Sequence, residues 1–205
     1  MKITSIDVYD FGKCLNYEDC SPICIRINTD AGISGFGEVG LAYGNAHNAG
    51  VWMVKDFGQL IIGKDPLRSE AIREQLFRTT FWGMGGGTIV FAGMSAIDIA
   101  VWDIKGKALG VPVYKLLGGK TNGRLRAYAS QIQFDWSGKS KAMLTPEDYR
   151  VATRHAMEAG FDCVKVDPLL WSRRGGFQDW NTRGILTNEK LKTAVERVAA
   201  VREEG

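Results

Sequence analysis

The sequence predicts an α+β domain followed by a parallel α/β unit. Three observations carry this reading. Three short alternating segments, joined by turn chemistry, fill the first forty or so positions. Helical periodicity without a strand pattern then runs to Leu116 and the stop Gly118-Gly119. From Leu125 onward a strand-like segment, a helix, a second strand-like segment and a second helix follow one another, the order of a parallel unit.

Ile3 to Tyr9 alternates apolar and polar residues and reads as a strand. Ile23 to Asn28 is a second strand, Thr29-Asp30-Ala31-Gly32 has turn composition, and Ile33 to Val39 returns as a third. Gly35 and Gly37 inside the third strand predict a bulge or the close approach of another backbone. A polar loop, Gly40 to Asn48, leads to helices around Ala49 to Ile62 and Leu67 to Thr80. The glycines of Phe81 to Thr88 (FWGMGGGT) lack the Gly-Lys-Ser/Thr ending of a phosphate loop and follow no strand, so they read as a hinge between helices. Ser95 to Gly110 reads as a helix capped by a Ser95/Asp98 box, with Ile97, Ala100, Val101, Ile104 and Ala108 on one face and Gly110 ending it.

Leu125 to Gln131 reads as the next strand. Thr145, Pro146 and Asp148 supply an N-cap, an N1 proline and an N3 acid for a helix that closes at Gly160. The strand FDCVKVD follows, then a long loop from Trp171 to Gly184. A last helix, capped by Thr187 or Asn188, is expected to face Leu191, Ala194, Val195, Val198 and Val201 inward. Two β/α units cannot close a barrel, which takes eight, so the sequence is expected to be the N-terminal portion of a longer protein.

Composition excludes several classes of function. The chain has 205 residues, is 45% hydrophobic and 24% charged, and carries a formal net charge of +3 with both signs interspersed. That balance gives no support to nucleic-acid binding. No apolar run approaches the ~18 residues of a membrane helix, and MKITSIDVYD does not resemble a signal peptide. The four cysteines, Cys14, Cys20, Cys24 and Cys163, form no C-x-x-C pair and only two histidines accompany them, so no zinc pattern is present. A reducing, cytoplasmic setting fits this usage.

The most informative segment is Phe161 to Leu170, FDCVKVDPLL. Alternation puts Lys165 and Asp167 on one side of the strand and Val164 and Val166 on the other. A lysine in such a strand must pair, snorkel or do chemistry. A strand-end ion pair of Lys165 with Asp167, worth under ~1 kcal/mol at a surface, is the plain alternative.

Taken together, MKITSIDVYD, TDAGISGFGEV, SAIDIAVWDIKGKALGVPVYKLLGG, RAYAS and AGFDCVKVD resemble the mandelate racemase and muconate lactonizing enzyme branch of the enolase superfamily. Within it they look closest to the acid-sugar dehydratases of galactonate or mannonate type. The resemblance implies an α+β capping domain over residues 1–122 and the first units of a modified (β/α) TIM barrel, incomplete here, over 123–205. It implies a Mg²⁺-dependent lyase that removes the proton α to the carboxylate of a sugar acid through an enolate. Such a proton is very weakly acidic, because the carbanion forms beside an existing negative charge, and a divalent cation offsets that charge. The ligands of the Mg²⁺ are expected beyond residue 205, so no metal residue is assigned in this chain.

The family's Lys-x-Lys motif at the end of the second barrel strand matches Lys165-Val166-Asp167, with the second lysine replaced by aspartate. That departure speaks against lysine-base racemisation. It leaves Lys165 to bind the substrate carboxylate or stabilise the enolate, Asp167 to orient Lys165 or accept from a substrate hydroxyl or a neighbouring Arg, and the role of base to a His or another group expected beyond residue 205. By position, the loops Cys14 to Pro22 and Leu41 to Asn48 match those that close the barrel mouth, making Tyr17, Tyr43 and His47 candidate substrate contacts. Ser130 and Gln131 end the first barrel strand and are candidates too. Arg173, Arg174 and Arg183 in the long loop would meet an anionic sugar acid, lie in solvent or pair with another subunit. The alternatives are a racemase, epimerase or cycloisomerase of the same family, or a catalytically incomplete fragment. The expected partner is a small-molecule acid sugar, without nucleic acid or membrane, in a homo-oligomer.

Overall fold

In the computed structural model, residues 1–12, 21–42, 45–134, 142–176 and 184–205 are described. They form two compact units, Met1–Thr121 and Asn122–Gly205.

The first unit is built on an antiparallel sheet of β1 (Ile3–Asp10), β2 (Ile23–Thr29) and β3 (Ser34–Val39) in that order. Alternation along β2 decides its two faces. Ile23, Ile25 and Ile27 are fully buried, and each contributes roughly 1.5–3 kcal/mol by leaving water. On the opposite face, Arg26 donates to Asp7 at 2.8 and 3.1 Å and Asn28 donates to Ser5 and Asp7 at 2.9 Å. The helices that follow are α1 (His47–Ile61), α2 (Ser69–Arg78), α3 (Thr88–Leu109) and the short α4 (Val113–Leu116).

The two glycines of β3 explain how α3 lies on the sheet. A Cβ at Gly35 would stand 2.0 Å from the Ala100 carbonyl oxygen, and one at Gly37 would stand 2.0 Å from that of Ala96. The strand therefore has bare backbone where the helix backbone crosses it, and the helix answers with alanine. Of the two readings of these glycines, the close approach is the one realised.

Two helix boundaries differ from the sequence reading. α3 starts at Thr88, so Ser95 lies inside the helix and the Ser95/Asp98 cap does not exist. Gly87, at φ 93°, is the N-cap instead. Ile97, Ala100, Val101 and Ile104 are buried as expected, but Ala108 is exposed in the last turn before Gly110, whose φ is 66°. α1 begins at His47, inside the stretch expected to be loop. Cys24 and Cys163 are free, half-buried thiols.

In the second unit, α5 (Pro146–Glu158) and α6 (Asn188–Glu204) pack on a core of Ala129, Ile132, Met143, Tyr149, Ala152 and Ala156. The cap of α5 forms as the sequence predicts: Thr145 Oγ1 accepts from the Asp148 N–H at 3.2 Å, and Asp148 accepts from the Thr145 N–H at 2.8 Å. Thr187 caps α6.

The two predicted barrel strands are not continuous ladders. They meet in a single parallel bridge, Ala129 to Val164. Around it the Ala129 N–H donates to the Cys163 carbonyl and the Lys165 N–H to the Ala129 carbonyl, each at 2.8 Å. Parallel pairing is the weaker kind per residue, and among the described residues neither segment has a second neighbour.

The inward face expected for α6 is realised at Val201, which packs against the core, but not at three of its other positions. Leu191, Val195 and Val198 are 50%, 58% and 46% exposed, while Thr193, Arg197 and Ala200 are buried. Arg197 anchors the buried side of the helix. It donates to the carbonyls of Pro168, Trp171 and Leu144 at 2.7–2.8 Å, and its guanidinium carbon lies 5.2 Å from the centre of the Tyr149 ring. Burial pulls its pKa down from the usual arginine value and pushes that of Tyr149 up.

Candidate functional site

The parallel bridge fixes which side chains share a face. Ala129, Val164 and Val166 belong to the core side, toward the helices. Their neighbours Ser130 and Lys165 therefore stand on the other side, and both are exposed. No ion pair joins Lys165 to Asp167 among the described residues, so the plain strand-end pairing is not formed. The half-buried Asp167 instead accepts from the Leu169 N–H at 3.0 Å, closing the turn through Pro168.

The first strand ends in an irregular step. A regular parallel ladder would continue with the Gln131 N–H donating to the Lys165 carbonyl. Here the donor is Ile132, at 3.2 Å, so Gln131 is an extra residue, and its φ is 62°. A positive φ is uncommon for a residue with a Cβ, and extra residues of this kind re-aim side chains at strand ends.

Gln133, which the sequence reading passed over, is fully buried beside this step. Its Oε1 accepts from the Asp167 N–H at 3.1 Å, its Nε2 donates to Gln131 Oε1, and its carbonyl accepts from the Trp171 indole at 2.8 Å. No local pattern announces it, because Gln133 lies in the short turn Ile132–Phe134, where strand alternation does not apply. The structure thus ties Gln131 to Asp167 through Gln133, beside the strand pairing that holds Lys165 and Ser130.

The loop beyond Asp167 borders a cavity of about 400 Å³ lined by Leu169, Trp171, Arg173, Arg174, Thr187 and Lys190 among others; neither Lys165 nor Asp167 lines it. Arg173 is engaged by α6, donating to Thr193 at 2.7 Å and to Glu196 at 2.5 Å. Arg183 lies outside the described residues.

In the first unit, Tyr17 and Tyr43 lie outside the described residues. His47 opens α1 with both ring nitrogens engaged: Nε2 on Asp10 at 2.8 Å and Nδ1 on the Ser21 carbonyl at 3.1 Å. Both partners only accept, so the imidazolium, with two N–H donors, is the form that satisfies the site. The Asp10 carboxylate accordingly raises the His47 pKa, and the bond to His47 lowers that of Asp10. The described residues contain no group of three or more His, Cys, Asp or Glu side chains able to hold a metal ion.

Comparison with known proteins bears on these residues. Residues 16–118 match the family model "Mandelate racemase / muconate lactonizing enzyme, N-terminal domain". The chain is 36% identical over 208 residues to a D-galactonate dehydratase from Variovorax paradoxus, covering 99% of this chain and 45% of the relative. A D-galactonate dehydratase from Pectobacterium atrosepticum is 34% identical over 204 residues, again covering 99% and 45%. A crystal structure of a member of the enolase superfamily from Salmonella Typhimurium superposes with a TM-score of 0.93 at 50% identity, covering 99% of this chain and 52% of that one. The chain thus spans about half the length of the relatives it matches. With the family match extending over half of its residues, the protein belongs to the mandelate racemase / muconate lactonizing enzyme family.

Proposed function

We propose that the complete protein is a sugar-acid dehydratase, a lyase in which a base that these residues do not supply takes the proton α to the substrate carboxylate and the β-hydroxyl leaves, protonated, as water. One observation carries the reading: almost the whole chain aligns with relatives named D-galactonate dehydratase, and Lys165 stands exposed on the side of its strand away from the helices. In this reading the Lys165 ammonium binds the substrate carboxylate and stays close as negative charge grows on it. Asp167, held by its turn and by Gln133, keeps carboxylate lone pairs for a substrate hydroxyl. Ser130 and Gln131 are the polar contacts at the end of the neighbouring strand, and Tyr17, Tyr43 and His47 remain candidates on the capping side. His47 serves there chiefly by pinning Asp10 and Ser21, which flank residues 13–20.

Mg²⁺ belongs to this reading as the cofactor implied by the resemblance. The described acids and histidines do not fit a metal site, so none of them is assigned to it. A homo-oligomer acting on a small acid sugar in the cytoplasm completes the proposal; the only finding that bears on membranes is that no described helix is long and apolar enough to cross one. The test is incubation of the complete protein with a panel of aldonic and aldaric acids, scoring 2-keto-3-deoxy acid. Product from at least one sugar acid is expected. Racemised or cyclised product, or no product from any of them, would overturn the assignment.

A further inference from the structure

We infer that Gln133 is a positioning residue, which sets Gln131 to offer an amide N–H to an oxygen of the sugar-acid substrate. The inference rests on the dehydratase reading for the substrate, but not for the relay itself. The Asp167 backbone N–H can only donate. The atom of Gln133 that faces it at 3.1 Å is therefore the carboxamide oxygen, Oε1. That choice turns Gln133 Nε2 toward Gln131, where only the oxygen of the Gln131 amide can receive it. With Oε1 of Gln131 occupied, the polar group that Gln131 has left to present is its NH₂.

A surface glutamine would ordinarily turn over freely, and its polarity toward a ligand would be undefined. Here burial removes that freedom. Gln133 has no exposed surface and its backbone carbonyl is held by the Trp171 indole at 2.8 Å, so reversing its amide would set its NH₂ against the Asp167 N–H. The exposed end of the relay sits on the one residue of this strand end with a positive φ. The chemistry fits a sugar acid, whose carboxylate and hydroxyl oxygens accept such a donor. It also places two donors, Lys165 and Gln131, on adjacent strand ends.

The experiment uses the complete protein with two variants, Gln133→Met and Gln131→Glu. It reads KM and kcat on the best sugar acid and the hydrogen-exchange rate of the Asp167 amide. Gln133→Met removes the acceptor, so exchange at Asp167 is expected to rise at least about tenfold, and KM to rise about tenfold with kcat within about threefold. Gln131→Glu still accepts from Gln133 but has no N–H to give. It is expected to leave Asp167 exchange unchanged while raising KM by about tenfold or more. Unchanged exchange in Gln133→Met would overturn the relay. An unchanged KM in Gln131→Glu, at an exposed position, would overturn the donor role. If the parent protein turns over no sugar acid, the functional reading fails, and the Asp167 exchange rates still decide the relay.

Discussion

The two units solve the same problem of building a sheet by opposite means. In the first, three strands adjacent in sequence pair antiparallel, and β2 buries three isoleucines on one side while tying polar residues together on the other. In the second, the Ala129 and Val164 segments share one bridge, and the order around it is supplied by side chains. Gln133 holds the Asp167 backbone, and Arg197 gathers carbonyls from residues 144, 168 and 171. Local antiparallel pairing completes the sheet of the first unit, whereas in the second the two strand ends are held by polar groups reaching in from elsewhere in the sequence.

The contrast can be broken most severely at the glycines of β3. Gly37→Ala places a methyl 2.0 Å from the Ala96 carbonyl and should cost about 3 kcal/mol, read as a lowered urea midpoint of the complete protein. Gly40→Ala, where nothing lies within 4 Å, should stay within about 0.5 kcal/mol. In the second unit, Arg197→Met leaves three carbonyls without their donor. Part of that loss is offset by no longer burying a charge, so the expected destabilisation is about 2 kcal/mol, with faster amide exchange in the loop from Pro168 to Trp171.

The smallest effect belongs to the His47–Asp10 pair, which is partly open to water and worth under about 1 kcal/mol. The His47 pKa is raised, so its contribution is complete below its ordinary value near 6.5 and is lost as pH climbs through the folded value. The Asp10 pKa is lowered, so its contribution is present above its ordinary value and is lost as pH falls through the depressed one. Stability profiles of the parent and of His47→Gln should therefore differ most in mildly acidic solution and converge at alkaline pH. Curves that run parallel at every pH would contradict the pairing.

Much of this was legible because the signals were local. Alternation marked β1 to β3, Thr145-Pro146-Asp148 marked a helix start, and Gly35 and Gly37 announced a close approach. Where a local signal had a rival, it misled. Ser95 and Asp98 have cap spacing, yet the apolar run of Ile89, Val90 and Phe91 before them continues the same helix. The face of α6 was legible at Val201, which packs against the core, whereas Arg197 found carbonyl partners 26 to 53 positions away that no periodicity reveals. Gln133 escaped for the same reason. The identity of a glutamine says nothing of burial, and its value comes from the Asp167 N–H it meets across the strand pair. Lys165 was legible, since a lysine between two core valines forces a question by itself.

His47 and Lys165 sharpen the same contrast at the level of chemistry: one charge is held by two protein acceptors, and the other stands exposed without an ion pair among the described residues. The most direct measurement is turnover of a sugar acid by the complete protein carrying Lys165→Ala, alongside its urea midpoint. The account predicts a loss of about a thousandfold or more in kcat/KM at an unchanged midpoint. A variant that folds equally well and retains the parent's activity would contradict it.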